Sequence, residues 1–365
     1  MEIIHVVLGK ANPSRLNGVN KVVFNLASEQ HNAGKNVKLW GISSNLEHDY
    51  PARNFETTLF KAEKNPFKVN EELIQNIIKN KTSVFHLHGG WIPVFSSLSK
   101  IFIKHKIKYV ITPHGAYNSI AMNRSKWRKK LYFQLFEKTI IKNAHYVHSI
   151  GQSEVDGLSN LCKKAKSFLL PYGFHYQQEN INSEKNTDFT IGFVGRLDTH
   201  TKGLDLLLKA FYNFQKTNPF SKLWIIGEGE GKAFIEKFIE VKNLKNVVLW
   251  GKKFGEEKDT LISKMHVFAH PSRNEGLPTA VLEASALGTP VIVSKATNVA
   301  DYVTQFSAGI AIDNENADQL KQAIDKMFEI YNTEKQNKLI EGGKKMLENV
   351  FSWSVLVDKY DELYK

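Results

Sequence analysis

Two cations six residues apart, Arg196 and Lys202, stand in the run Gly195-Arg196-Leu197-Asp198-Thr199-His200-Thr201-Lys202-Gly203. The apolar run before them, Thr190–Val194, reads as a strand, and a helix is expected from near Leu204. A guanidinium offers a forked donor set for phosphate oxygens, and an ammonium offers a compact charge. A helix start adds free N–H groups. Placed on a strand–turn–helix, the pair could clamp a diphosphate. Taken singly, the same residues would be solvated loop cations.

Two glutamates eight residues apart follow in Pro271-Ser272-Arg273-Asn274-Glu275-Gly276-Leu277-Pro278-Thr279-Ala280-Val281-Leu282-Glu283-Ala284. Pro278 and Thr279 suit the start of a helix, with Glu275 just before it. Glu283 lies inside that helix among apolar neighbours and needs a partner. A ribose diol would serve, because a carboxylate accepts two hydroxyl hydrogen bonds; a capped amphipathic helix with one surface acid is the plainer alternative. Eight helical residues span about 12 Å. That spacing does not favour a glycosidase pair, whose carboxyl groups stand about 5–9.5 Å apart.

Four further features could carry chemistry. In Asn12–Asn20, Gly18 precedes a helical pattern and would let a ligand approach the backbone. His86, His88 and His114 sit at strand ends in His-Leu-His-Gly-Gly and Thr-Pro-His-Gly. His86 and His88 share a strand face, but no nearby carboxylate completes a ligand set, so no metal is expected. The run Gly227-Glu228-Gly229-Glu230-Gly231 does not match Gly-x-Gly-x-x-Gly and reads as a tight turn against a ligand or another loop. In Asn123–Asn143, Trp127, Leu131, Leu135, Phe136 and Ile140 repeat at helical spacing beside Arg124, Arg128, Lys129 and Lys130. Either this helix packs into a domain with a solvated basic face, or it lies on anionic lipid.

The elements that must position these residues are strands alternating with helices. Apolar runs at Ile3–Leu8, Val37–Ile42, Val84–His88, Tyr109–Pro113, Tyr146–Ile150 and Phe168–Pro171 fill the first half. Thr190–Val194, Leu223–Gly227, Val247–Gly251, Val267–His270, Val291–Ser294 and Gly309–Ile312 fill the second. Such alternation implies βαβ units and parallel sheets, hence an α/β protein of two doubly wound, Rossmann-like domains. The polar stretch Gln177–Asp188 marks the boundary: a first domain over 1–177, a second over 178–348, and a terminal helix over 349–365. Ligands of doubly wound sheets bind outside the carboxyl ends of the strands, where every feature above except the basic helix falls.

The 365 residues carry a net charge of +12. Residues 1–180 hold 25 Lys and Arg against 12 Asp and Glu, and residues 181–365 hold 24 against 25, so the excess belongs to the first half. That excess fits nucleic acid, an anionic membrane or an acidic small molecule. No helix-turn-helix, RNP or zinc-finger pattern accompanies it, so nucleic acid is not expected as a partner. No run of about 18 apolar residues exists, and the first residues do not read as a signal peptide. The single cysteine, Cys162, permits no internal disulfide. A cytoplasmic location follows as the expectation, with the inner face of the cytoplasmic membrane as a candidate docking surface.

In combination, Phe193-Val194-Gly195-Arg196, Lys202-Gly203, Gly227-Glu228-Gly229, Pro271-Ser272, Glu275-Gly276, Leu282-Glu283-Ala284 and Gly288-Thr289-Pro290-Val291 resemble the family 4 retaining glycosyltransferases, also called glycosyl transferases group 1. Over the first half the likeness rests on the Gly18 loop and Thr112-Pro113-His114-Gly115. The family often has a glycine pair where this chain has Asn17-Gly18. The resemblance implies the GT-B fold, two Rossmann-like domains facing across a cleft that closes, with a C-terminal helix crossing back to the first. It implies an acceptor-binding first domain and a nucleotide-sugar-binding second. Arg196 and Lys202 would hold the donor diphosphate, Glu283 the ribose, and Glu275 the sugar hydroxyls, with Gly195, Gly227, Gly276 and Leu277 close by. Lys253 and Phe254 lie in a loop that selects donor. Gly18 would touch the phosphate and His114 would face the donor sugar. The implied reaction is metal-independent, cofactor-free hexosyl transfer with retention, from a UDP-sugar ahead of a GDP-sugar, to a glycan or lipid-linked acceptor in bacterial surface polysaccharide synthesis. A GT-B epimerase or hydrolase, and a non-catalytic membrane- or nucleic-acid-binding α/β protein, are the alternatives.

Overall fold

The computed structural model describes residues 1–13, 18–118, 122, 126–175 and 184–365. Two compact units emerge: Met1–Gly173 with Trp353–Lys365, and Phe174–Ser352. The expected division after residue 177 lies outside the described residues, as do Asn17 and Arg124.

The N-terminal unit is one seven-stranded sheet. Its strands are β1 (Glu2–Leu8), β2 (Asn36–Ser43), β3 (Glu56–Lys61), β4 (Val84–His88), β5 (Tyr109–Thr112), β6 (Tyr146–Ser149) and β7 (Ser167–Leu169). They order as β3-β2-β1-β4-β5-β6-β7 with every pair parallel. Parallel strands are covered on both faces, so β1 and β4 read as near-continuous apolar runs. β3 is the strand that the apolar pattern misses. Glu-Thr-Thr-Leu-Phe-Lys buries only Phe60, because it is an edge strand supported from one side.

Alternation along β1 and β4 decides what each face meets. Ile4 and Val6 join Phe85 and Leu87 in one core with the helix Pro93–Lys104. Ile3 and Val7 join a second core under the helices Gly18–Asn32 and Trp353–Tyr364. His5, His86 and His88 occupy the same strand face as Ile3 and Val7. Three imidazoles therefore enter a face that is otherwise apolar. The C-terminal helix brings Trp353, Leu356, Tyr360 and Tyr364 onto it, all buried.

The C-terminal unit repeats the plan with six strands: β8 (Thr190–Val194), β9 (Lys222–Ile226), β10 (Val247–Gly251), β11 (Val267–His270), β12 (Val291–Ser294) and β13 (Gly309–Ile312). The order is β10-β9-β8-β11-β12-β13, again parallel. Strand order reverses between β1 and β4 in one sheet and between β8 and β11 in the other. These are the points where chain connections diverge and leave a crevice.

Candidate active site

In the C-terminal unit the crevice is built by three stitched loops. Leu197 N–H donates to the Glu228 carbonyl at 3.0 Å, Gly231 N–H to the Leu197 carbonyl at 2.7 Å, and Gly227 N–H to the Gly251 carbonyl at 2.8 Å. Gly227 has φ +146°, and a Cβ there would strike the Gly195 carbonyl. The Gly-Glu-Gly-Glu-Gly run is thus a turn packed on the β8 loop. Gly203 has φ +67° where the helix Leu204–Gln215 starts, and a Cβ there would strike the Pro271 carbonyl. That close approach brings the loop after β11 against the loop after β8.

Consequently Lys202 and Glu275, 73 residues apart, form an ion pair. His270, at the end of β11, places Nε2 3.4 Å from the same carboxylate. Burial alone would push the Glu275 carboxyl up; the His270 hydrogen bond and the Lys202 ammonium override it and hold it down to about 2. His270 itself is lowered, mainly by burial, so its imidazole stays neutral. Arg196 differs in kind. Its side chain is 68% exposed and meets Asp198 at 3.1 Å, leaving a guanidinium turned to solvent at a strand end.

Glu283 does not stand alone in its helix, Thr279–Ala286. Lys258, from the neighbouring helix Gly255–Ser263, pairs with it at 2.9 Å. Sequence pattern could not supply this partner, since the two residues meet only through helix packing. Arg273 is likewise a tertiary finding. It grips Asp205 with both terminal nitrogens at 2.7 and 2.8 Å and donates to the His200 carbonyl at 2.7 Å, pinning the loop that carries Glu275 to the one that carries Lys202. Lys253 pairs with Glu257, and Phe254 is exposed under the Lys252 ammonium. Leu277 is buried, while the Gly276 carbonyl accepts from Asn298 N–H at 3.3 Å.

In the N-terminal unit a cavity of about 280 Å³ opens at the ends of β1, β4 and β5, lined by Val7, His88, Gly89, Gly90, Pro113 and His114 among others. His114 holds φ +56°, a left-handed conformation that costs a non-glycine residue and marks a built turn. Its ring nitrogens meet His88 Nδ1 at 3.2 Å and the Tyr172 hydroxyl. The turn is tied from beneath by Glu154, whose carboxylate accepts from Gly115 N–H and from Ile150 N–H at 3.0 Å. Burial pushes Glu154 up to about 7 in spite of those bonds. No sequence pattern singles out Glu154, because only the fold brings it under the His114 turn. Gly18 starts its helix, exposed, with open space where a Cβ would stand.

His5, His86 and His88 place one ligand atom each within 4.8 Å of one another, a grouping that could hold a metal ion. All six of their ring nitrogens already face protein partners, however. The basic helix turns out divided. Phe136 and Ile140 face inward, whereas Trp127, Leu131 and Leu135 are 81%, 62% and 61% exposed. Arg128 and Lys130 are exposed beside them and Lys129 is partly buried, reaching towards the Trp91 ring.

Two parallel α/β units with ligand-ready switch points define the GT-B class, and solved structures agree. The Anabaena HepE structure in complex with UDP superposes with a TM-score of 0.77 at 12% identity, covering 100% of this chain and 99% of that one. The family descriptions glycosyl transferases group 1 and glycosyltransferase family 4 match residues 176–346 and 16–175. With both halves matched, the chain belongs to the family 4 glycosyltransferases. Similar curated proteins include an uncharacterized 41.2 kDa protein in the cps region of Klebsiella pneumoniae, 28% identical over 80% of this chain and 81% of its own length. The Staphylococcus aureus capsular polysaccharide biosynthesis glycosyltransferase CapM is 28% identical over 56% of this chain and 57% of its own. Among the described residues no helix is long and apolar enough to cross a membrane.

Proposed function

We propose that the chain transfers a hexosyl group from a nucleotide-sugar, a UDP-sugar ahead of a GDP-sugar, to a hydroxyl of a glycan or lipid-linked acceptor in bacterial surface polysaccharide synthesis. The observation that carries this is the meeting of Lys202, Glu275 and neutral His270 at the β8/β11 switch point, with Arg196 open to solvent beside them. CapM, by its name, works in capsule synthesis, and HepE was captured with UDP; both support the reading.

The bond from the anomeric carbon to the diphosphate breaks, and its electron pair goes to the leaving phosphate oxygen. Arg196 and Lys202 stabilise that charge, an electrostatic role that needs no metal. The acceptor hydroxyl attacks the same face and gives its proton to the leaving phosphate, so configuration is retained and no protein nucleophile is involved. Glu275 would take sugar hydroxyls and Glu283 the ribose, each exchanging a lysine contact for the ligand. Gly195, Gly227, Gly276 and Leu277 let the backbone come close, and Lys253 and Phe254 face the base. Gly18 and His114 supply phosphate and sugar contacts from the N-terminal unit.

A thermal-shift series of UDP-, GDP- and ADP-sugars tests donor binding, because a ligand held only by the folded chain raises its melting temperature. Nucleotide release that needs an acceptor, with the product anomer read by NMR, tests transfer and retention. Release equally fast without acceptor would favour a hydrolase, and silence in both assays a non-catalytic scaffold. The exposed Trp127, Leu131 and Leu135 with Arg128, Lys129 and Lys130 are assigned to an anionic cytoplasmic membrane face. Arg124 precedes them in sequence. Vesicle binding that ignored anionic lipid and salt would overturn that assignment.

A further inference from the structure

Nine hydrogen bonds link ten groups of the N-terminal unit into one line. It begins at the Tyr172 hydroxyl on His114 Nδ1, passes from His114 Nε2 to His88 Nδ1 at 3.2 Å, and from His88 Nε2 to His5 Nδ1 at 2.8 Å. His5 Nε2 meets Gln30 Oε1 at 2.7 Å, and Gln30 Nε2 meets the Tyr364 hydroxyl at 3.1 Å. That hydroxyl meets His86 Nδ1 at 2.9 Å; His86 Nε2 meets Thr112 Oγ1 at 2.6 Å; Thr112 Oγ1 meets His148 Nδ1 at 2.8 Å. The line ends where His148 Nε2 reaches the Leu170 carbonyl at 2.7 Å. Except for His114 at the cavity edge, every side chain in it is buried.

One fixed end assigns every proton. A carbonyl only accepts, so His148 carries its proton on Nε2 and leaves Nδ1 to accept from the Thr112 hydroxyl. Thr112 then accepts from His86 Nε2–H, which leaves His86 Nδ1 to accept from Tyr364. The tyrosine has spent its one proton, so Gln30 must donate its amide N–H to Tyr364 and offer its oxygen to His5 Nε2–H. By the same step His88 donates to His5, His114 donates to His88, and Tyr172 donates to His114. Matching donors to acceptors admits no other neutral arrangement, and it closes without an orphan.

We infer that this line is a positioning device for the N-terminal cavity: Gln30, Tyr364, His5 and His86 act through His88 to hold His114 neutral, protonated on Nε2, with neither ring nitrogen free to take a proton from a ligand. His114 then serves by the shape and backbone of its turn, not as a general base. The last turn of the C-terminal helix, through Tyr364, is part of that cavity's support. Burial, which pulls His5 and His148 down to about 4 and His114 to about 3, agrees with five neutral rings. A metal ion on His5, His86 and His88 would have to break the His5–His88 bond and reverse a tautomer.

Nitrogen-15 spectra of histidine-labelled full-length protein test the assignment directly. All five rings should be neutral Nε2–H tautomers at about pH 7 and remain neutral to about pH 5. An Nδ1–H ring among the five, or one titrating at the ordinary value, would overturn it. So would zinc-induced shifts confined to His5, His86 and His88 with a raised melting temperature. Kinetics give a second arm, which rests on the proposed donor contact of His114. His5 is faced by His86 and His88 from β4 and by Gln30, with Tyr364 behind the amide. Gln30→Glu puts a carboxylate on His5 Nε2 and favours the imidazolium, whose Nδ1–H would confront His88 Nε2–H. Measured as a ratio to wild type at each pH, which divides out the titration of Glu154 near 7 beneath the His114 turn, transfer by this variant should fall about tenfold between about pH 8 and about pH 6, the size of one lost buried hydrogen bond. Gln30→Met should lose activity by one factor at every pH. Equal, pH-independent losses in both would mean a merely structural role. If His114→Ala keeps full activity while the spectra match, the donor contact fails and the proton assignment stands.

Discussion

The two sheets share a topology and differ in what their switch points hold. At the end of β8 and β11 the C-terminal unit gathers opposite charges: Lys202 with Glu275, Arg196 with Asp198, and Lys258 with Glu283 nearby. At the end of β1 and β4 the N-terminal unit, despite its cationic excess, gathers neutral groups in a continuous hydrogen-bonded line. Charge pairs at a partly exposed rim can be exchanged for an anionic ligand at modest cost, because each ion keeps water or a new partner. Buried neutral hydrogen bonds cannot be exchanged so cheaply, and they fix geometry instead. One unit is built to take up charge and the other to hold a shape.

The sharpest break of this contrast is Lys202→Ala. A charged hydrogen bond to phosphate contributes roughly 1.5–3 kcal/mol, so turnover should drop about tenfold to a few hundredfold with the fold intact. Wild-type turnover in a folded variant would remove Lys202 from the clamp. For Glu283→Ala the expected loss is about tenfold in nucleotide affinity, read by calorimetry, with turnover at saturating donor less affected. Unchanged affinity would leave Lys258 as the sole partner of that carboxylate.

Acid provides the gentlest discrimination. His5, His114 and His148 titrate far below 6.5 when folded, and His86 and His88 are lowered as well. The unfolded chain takes up those protons first, so stability falls as pH drops from about 6.5 towards 4. Glu137 and Glu154, raised to about 7 by burial, work in the opposite direction, costing stability as pH rises from 4.5 to about 7. Two carboxyls oppose these five imidazoles and the likewise lowered His145, so the imidazoles set the sign. In the C-terminal unit the contribution of Glu275, held near 2, is complete above 4.5 and lost only as pH falls towards 2. His266 and His270 give that unit two lowered imidazoles against six in the N-terminal unit, where His145 is lowered too. Hydrogen-exchange protection, taken relative to the intrinsic rate at each pH, should therefore be lost in β1, β4 and β6 before β8 and β11 as pH falls from about 6 to about 4. The reverse order would break the contrast.

Much of this was legible in residue order. Twelve of the strands announce themselves as apolar runs between helical patterns, since parallel strands are covered on both faces and leave a strong signal. The edge strand Glu56–Lys61 is too polar to give one. Arg196, Lys202 and Glu275 could be picked out because chemistry in doubly wound folds collects just after strands. The basic helix was readable as amphipathic, but not which of its apolar residues pack; Leu131 and Leu135 carry the same periodic signal as buried Ile140.

Local pattern thus determined the class of fold, the location of the switch-point loops and the residue types offered there, because strand alternation and loop chemistry are properties of neighbours in sequence. Partners were decided by tertiary structure alone. Lys202 meets Glu275, Lys258 meets Glu283, and Glu154 meets the His114 turn across separations that no periodicity encodes. Most telling are His86 and His88, which in sequence look like an incomplete metal site. Packing adds His5 from β1, Gln30 from the first helix and Tyr364 from the last, and it is those partners that set where each proton sits.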